Sequence, residues 1–343
     1  MADILTRIEG RAGRITLNRP QALNALTYDM LREIERVLDL WRDDPAVALV
    51  LIDAAGDKAF AAGGDIVDLY NTGRAGDFAF GRKFWAHEYR INAKVARYPK
   101  TYVAVMTGFT MGGGVGVSAH GSHRIVTDGS QVAMPECGIG LVPDVGGSLL
   151  LAQAPGFLGE YLGMSSTRMG PGDAIFAGFA DSYVPVSSLE GLKAGLAETG
   201  DLDMIADFAE PAPESPLRDL LGDIDRVFSR DSAVEIASML EGLEVDWAAK
   251  AHKAIRRNCP ISVACSLRMI RNVRVLGQIE AALAQEYRFI WRCMEEGEFL
   301  EGIRAAVIDK DRNPQWARPK LEDIGADDVA HMLSPPPGGD LEL

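Results

Sequence analysis

The chain has 343 residues, of which 47% are hydrophobic and 24% charged, and this length can bury one large core and a smaller second unit. Its formal net charge of -14 argues against a nucleic-acid surface, because phosphate contacts need clustered Arg and Lys. No apolar run reaches the roughly 18 to 20 residues that a membrane helix needs, and four cysteines are too sparse for a disulfide scaffold.

The first residues resemble neither a secretory signal nor a transit segment, and we therefore expect a cytoplasmic protein that does not bind membranes. Along the first half, short β-rich apolar runs bounded by turn residues predict buried strands. These runs cover residues 14–18, 47–52, 101–106 and 123–127. Between the first two runs, apolar residues at helical spacing follow Thr27, a residue typical of an N-cap, and precede Pro45. This pattern predicts one amphipathic helix.

From about Pro185 the strand patterns disappear, and the proline-rich residues 211–216 indicate a connector. A later stripe at helical spacing predicts a mostly helical second half; its members are Ile279, Leu283, Tyr287, Ile290 and Met294. We therefore expect three parts: a core over residues 1–185, a helical region over 186–333 and a mobile tail over 334–343.

Three other motif classes are weak. Ser118 lies in a sequence that lacks the last glycine of a nucleophile elbow, and no phosphate-binding or dinucleotide-binding glycine pattern is complete. His120 and His123 have no further metal-type ligands at suitable spacing, so we expect no metal site.

Two glycine-rich segments and one acidic segment are more informative. They cover residues 60–66 (FAAGGDI), 110–116 (TMGGGVG) and 134–147 (MPECGIGLVPDVGG). A strand-to-helix turn directs unpaired N–H groups and the positive end of a helix dipole the same way, which suits a developing oxyanion. Glu136 and Asp144, in the third segment, supply a pair of carboxylates. The combination is typical of an oxyanion hole beside acid-base groups.

These segments, in this order and after NRPxxLNAL at residues 18–26, resemble the crotonase, or enoyl-CoA hydratase/isomerase, superfamily. Within it the chain is most similar to the 3-hydroxyisobutyryl-CoA hydrolase family, because of FWAHEY at residues 84–89, PDVGG and the segment 299–316. The resemblance implies an α/β fold, a spiral of β-β-α turns followed by helices.

The same resemblance implies roles for five residues. The N–H groups of Gly64 and Gly113 would hold the thioester oxygen, Glu136 would be the catalytic glutamate and Asp144 a second catalytic carboxylate. Glu88, Gly113, Glu136 and Asp144 would contact substrate.

Asn24, Ala25 and Leu26, together with Ala62, correspond to a segment that touches coenzyme A mainly through backbone atoms. The expected ligand is an acyl-CoA, so coenzyme A is part of the substrate and no separate cofactor is needed. A homo-oligomer is possible on this scaffold.

Two differences from the hydratases of the superfamily distinguish thioester hydrolysis from hydration. Hydratases of the superfamily carry a second glutamate where this chain has Gly116, and they commonly have glycine where it has Asp144. Water addition to a double bond uses paired carboxylates, and Gly116 cannot supply one. The leading hypothesis is therefore hydrolysis of a short β-hydroxyacyl thioester such as 3-hydroxyisobutyryl-CoA. An enoyl-CoA hydratase or isomerase is the alternative, and a non-catalytic CoA-binding protein the remote one.

Overall fold

The computed structural model describes residues 2–343, and its backbone forms an α/β protein. The strands are β1 (Ile4–Glu9), β2 (Ala12–Leu17), β3 (Leu49–Ala54), β4 (Ala59–Ala61), β5 (Thr101–Met106), β6 (Phe109–Met111), β7 (His123–Val126), β8 (Gln131–Ala133) and β9 (Ser182–Tyr183). The four predicted strands are confirmed as β2, β3, β5 and β7.

Sixteen α-helices lie in the described residues. They are α1 (Tyr28–Trp41), α2 (Ile66–Arg74), α3 (Phe78–Ala96), α4 (Gly113–Gly116), α5 (Gly147–Gln153), α6 (Leu158–Ser165), α7 (Pro171–Phe176), α8 (Leu189–Thr199), α9 (Met204–Phe208), α10 (Pro216–Phe228), α11 (Ala233–Glu241), α12 (Asp246–Arg257), α13 (Pro260–Leu276), α14 (Ile279–Cys293), α15 (Phe299–Ile303) and α16 (Ala326–Met332). None of these helices is long and apolar enough to cross a membrane.

The chain forms two compact units. Unit 1 comprises the chain up to Gly64, Arg90–Ala133 and Met169–Arg218, and unit 2 comprises Asp65–Tyr89, Met134–Arg168 and Asp219–Leu343. The three-part organisation with boundaries at residues 185 and 333 stays a prediction.

Unit 1 contains two sheets. The larger has the order β1-β2-β3-β5-β7-β9, and the smaller has the order β4-β6-β8. Only the β1–β2 pair is antiparallel among the described ladders. Consecutive strands from β3 to β8 alternate between the two sheets, so each turn of the chain adds one strand to each sheet. This is the predicted spiral of β-β-α turns.

The amphipathic helix predicted after Thr27 is α1. The Thr27 side chain accepts a hydrogen bond from the Met30 N–H and so caps the helix. The core of unit 1 is built from aliphatic residues of β3, β5 and β7, which pack against α8; its members include Leu49, Leu51, Val103, Val105, Ile125, Leu192 and Leu196. This burial drives the pairing of strands that are far apart in sequence.

Unit 2 is helical. α13 packs on α5 and α6, and ten of its residues are buried. The stripe predicted from Ile279 lies on α14, whose buried face also carries Glu286. In the tail, Asp340 accepts two hydrogen bonds from the Arg288 guanidinium, at 2.6 and 2.7 Å. These contacts hold the tail at one point, and its mobility stays a prediction.

Candidate active site

The two predicted oxyanion donors belong to glycine turns of unit 1. Gly63 has φ +111°, and its carbonyl accepts a hydrogen bond of 2.9 Å from the Leu26 N–H. Gly112 has φ +49° and precedes Gly113, the first residue of α4. Such positive φ angles are easily adopted only by glycine, so these positions fix how the neighbouring N–H groups are directed.

The N–H groups of Gly64 and Gly113 donate to no protein acceptor within residues 2–343. The two turns are adjacent, because a Cβ built on Gly63 would lie 4.0 Å from the Gly113 nitrogen. The close approach also depends on Gly114, where a Cβ would meet the Ala61 carbonyl oxygen at 2.7 Å. The structure thus places two donors without acceptors in adjacent turns, one of them at the start of a helix. Their joint role as an oxyanion hole stays a prediction.

The predicted coenzyme-contacting segment has a structural role of its own. The Asn24 amide donates to the carbonyls of Ala55 and Ala59, at 3.0 and 2.7 Å, and its oxygen accepts from the Arg19 N–H at 2.8 Å. The Ala62 N–H donates to the Leu23 carbonyl at 3.0 Å.

Leu26 is fully buried and is bridged to Gly64, while the Ala25 N–H donates to the Ala22 carbonyl at 3.0 Å. These contacts place the segment next to the Gly64 turn. Contact of Asn24, Ala25, Leu26 and Ala62 with coenzyme A stays a prediction.

The predicted carboxylates lie in unit 2, and all three are buried. Glu136 opens a short 3-10 helix, Glu136–Ile139, and is 4% exposed. Asp144 is 4% exposed and Glu88, on α3, is 2% exposed. Glu136 Oε2 and Glu88 Oε1 have no hydrogen-bond partner among residues 2–343. Buried polar atoms are rarely left unpaired, so these two oxygens are available to a ligand or to water.

Burial and mutual repulsion perturb the ionisation of this group. Burial raises the pKa of Glu136 well above its usual range, and the nearby Asp144 raises it further. The pKa of Glu88 is raised by the same two causes in the same order. Burial also raises the pKa of Asp144, which a hydrogen bond from Tyr89 partly offsets. The pKa of Asp144 is raised to about 7, and a carboxyl that titrates near neutral pH is suited to accept and return protons.

Sequence reasoning missed two partners of this group. The Tyr89 hydroxyl donates to Asp144 Oδ2 at 2.9 Å, and Tyr89 is fully buried. Glu286 is also fully buried and lies near enough to Asp144 for the charge of Asp144 to raise its pKa. Tyr89 follows Glu88 directly, and Glu286 interrupts the apolar stripe of α14; a carboxylate at an apolar helix position was the available signal.

Gly116, the position where hydratases carry a glutamate, closes α4 and is buried. It brings no acid-base group to unit 1. In unit 1 the N–H groups of Gly64 and Gly113 have no acceptor among residues 2–343, and in unit 2 the carboxyls of Glu88, Glu136 and Asp144 are buried. The catalytic and substrate-binding roles of these residues stay predictions.

Comparison with known protein families shows to which family the chain belongs. The model of the family described as "Enoyl-CoA hydratase/isomerase" matches residues 12–333. The chain belongs to this family. Its match covers both compact units, and the predicted crotonase resemblance and fold class are confirmed.

Curated relatives show which group within the family the chain resembles. The "3-hydroxyisobutyryl-CoA hydrolase, mitochondrial" of Gallus gallus is 35% identical, over 100% of this chain and 91% of that protein. The "3-hydroxyisobutyryl-CoA hydrolase 1" of Arabidopsis thaliana is 37% identical, over 94% of this chain and 89% of that protein. The predicted resemblance to this group is therefore confirmed. The chicken protein is named as mitochondrial, and a cytoplasmic location for the present chain stays a prediction.

Solved structures agree on the fold but carry other names. The crystal structure of an enoyl-CoA hydratase from Rhodobacter sphaeroides 2.4.1 has 50% identity and a TM-score of 0.95, with complete coverage of both chains. That of a carnitinyl-CoA dehydratase from Mycobacterium thermoresistibile has 38% identity and a TM-score of 0.95, covering 99% of this chain and 98% of that one. The family thus includes proteins named for hydrolysis and for hydration.

Proposed function

We propose that this protein hydrolyses an acyl-CoA thioester, with 3-hydroxyisobutyryl-CoA as substrate and 3-hydroxyisobutyrate and coenzyme A as products. This assigns it to valine breakdown. The observation that carries the proposal is the redistribution of acids: Gly116 stands at the hydratase glutamate position, while Asp144 is a buried carboxylate that repels Glu136. The names of the curated relatives support the same reaction.

The chemistry needs two things, a stabilised oxyanion and a carboxylate that acts as base or nucleophile. The N–H groups of Gly64 and Gly113 would receive the thioester oxygen as the carbonyl becomes tetrahedral. Glu136 would take the proton of the attacking water, or would attack the carbonyl itself and form an anhydride that water then cleaves. In both routes the C–S bond breaks, the electron pair leaves on sulfur, and a proton gives the free thiol.

Asp144 and Tyr89 would assist this step. Tyr89 keeps Asp144 oriented through its hydroxyl, and Asp144 would orient Glu136 or water or receive the hydroxyl of the acyl group. Glu88 would line the acyl site with its unpaired oxygen. No separate cofactor enters this scheme. A cytoplasmic location completes the proposal, and the scaffold leaves a homo-oligomer possible.

The second candidate is hydration of an enoyl-CoA, which the name of the 50% identical Rhodobacter protein favours. One experiment separates the two. The protein is mixed with 3-hydroxyisobutyryl-CoA and, separately, with crotonyl-CoA; free thiol is followed in the first and enoyl absorbance in the second. We expect thiol release and persistent enoyl absorbance. Rapid loss of enoyl absorbance without thiol release would establish the hydratase, and neither signal would favour a non-catalytic CoA-binding protein.

A further inference from the structure

Glu286 is a buried carboxylate whose contacts the proposed mechanism does not use. It lies on α14, is fully buried, and accepts three hydrogen bonds from one short segment. Its Oε2 accepts from the Gly146 N–H at 2.8 Å. Its Oε1 accepts from the Ser148 N–H at 3.0 Å and from the Ser148 hydroxyl at 2.5 Å. Glu286 thus binds the chain on both sides of Gly147, the first residue of α5.

The segment that Glu286 binds follows directly after Asp144. Val145 has φ +55° and Gly146 has φ +79°, and the Gly147 N–H donates to the Asp144 carbonyl at 2.7 Å. A left-handed conformation is unfavourable for a β-branched residue such as Val145. Such a turn persists only where the surrounding structure holds it, and the contacts to Glu286 are placed to do this.

We infer that Glu286 is a positioning residue: it fixes the strained turn at Val145 and Gly146 and thereby aims the Asp144 carboxylate. The inference rests on the proposed function. A carboxylate suits this task because each oxygen meets an N–H donor, whereas the amide of a glutamine offers one oxygen and one nitrogen that cannot accept.

The test is a double-mutant cycle between Glu286→Gln and Asp144→Asn, read as thiol release from 3-hydroxyisobutyryl-CoA. Displacement of a reacting group by about 1 Å can cost about 100-fold in rate, so we expect Glu286→Gln to lower kcat by roughly 10- to 100-fold. KM should change less than about twofold. In the Asp144→Asn background, Glu286→Gln should lower kcat by less than about twofold, because Glu286 acts on catalysis through the Asp144 carboxylate, which is already absent.

Glu160→Gln is the matched control. Glu160 is also fully buried in unit 2, but it pairs with Arg274, at 2.8 Å through each oxygen. Removal of this charge perturbs the packing without touching the Asp144 turn. We therefore expect any loss of kcat in Glu160→Gln to be the same in the wild-type and Asp144→Asn backgrounds. Equal losses for Glu286→Gln in both backgrounds would reduce Glu286 to a structural residue and overturn the inference.

Hydrogen exchange provides a readout independent of activity. Exchange at the amides of Gly146 and Ser148 should be faster in Glu286→Gln than in the wild type, and unchanged in Glu160→Gln. If exchange is unchanged in Glu286→Gln, the inference fails. If exchange increases in Glu286→Gln while the wild-type protein releases no thiol, the role of Glu286 in holding the turn is supported and the proposed function fails.

Ser148→Ala serves if Glu286→Gln does not fold. It removes one of the three hydrogen bonds and leaves both backbone donors in place. We expect kcat about threefold lower, with the loss absent in the Asp144→Asn background. A Ser148→Ala protein whose loss persists unchanged in that background would contradict the inference.

Discussion

Glu136→Gln is the substitution that tests the proposed chemistry most directly. The change keeps the volume of the side chain but removes its charge and its ability to take a proton. Glu136 is 4% exposed, and its Oε2 has no hydrogen-bond partner among the described residues, so no other contact of that oxygen is lost with it. The effect on turnover therefore reports its role as base or nucleophile.

The magnitude follows from the environment of this carboxyl. Burial and the charge of Asp144 raise the pKa of Glu136, which makes it a stronger base than an exposed glutamate. A positioned general base contributes about 10²- to 10⁴-fold to a rate, or about 3–5 kcal/mol of barrier. We therefore expect kcat to fall by at least about 100-fold. Binding of coenzyme A should persist, because its contacts are predicted elsewhere.

The assay is steady-state thiol release, with folding monitored by circular dichroism and coenzyme A binding by calorimetry. Glu322→Gln is a suitable control, since Glu322 pairs with Arg256 at the surface of unit 2 and should leave kcat unchanged. If a folded Glu136→Gln protein retains most of its activity, the assignment is wrong, and the hydrolytic group must be sought at Glu88 or Asp144.

Three further outcomes are expected. Gly113→Pro should lower kcat by about 100-fold or more, because it removes one oxyanion donor; a near-normal rate in a folded protein with intact coenzyme A binding would exclude this donor. Tyr89→Phe should raise the pKa of Asp144 further, since it removes a hydrogen bond to the carboxylate, and the acidic limb of the kcat profile should move to higher pH; an unmoved limb would refute a role for the ionised Asp144. Burial raises the pKa of Glu88 in the folded state, so its contribution to stability is greatest below its ordinary pKa near 4.5 and is lost as pH rises toward the folded value. Glu88→Gln should therefore flatten the fall of the unfolding free energy as the pH rises above 4.5, and an equal pH dependence of the unfolding free energy in denaturant titrations of the two proteins would contradict this.

Local patterns predicted part of the fold. The strands β2, β3, β5 and β7 and the helix α1 follow from apolar runs and from Thr27 as a cap, since these signals lie within a few residues. The short strands β4, β6 and β8 were not predicted. Each spans three residues inside or beside a turn-rich segment, which is too short for an alternating apolar pattern to be recognised. These residues form strands only because they pair with strands that are distant in sequence.

The candidate site divides in the same way. Glu88, Glu136 and Asp144 were identified through motifs, whereas Tyr89 and Glu286 emerged only from the structure. Glu286 accepts a hydrogen bond from Gly146, which lies 140 positions earlier in the chain, and no sequence pattern near Glu286 predicts this contact.

The sequence by itself determined the order of the glycine turns and the acids, and hence the family. The sequence also shows that Gly116 lacks the carboxylate of the hydratases and that Asp144 adds one, because residue identity alone establishes both differences. Only the tertiary structure decided which carboxyls lose water and which find partners. Asp144 and Glu136 repel each other because both are desolvated in unit 2, and that condition is created by residues from several distant helices. Ionisation is a property of the folded environment, and the chemistry of this site depends on it.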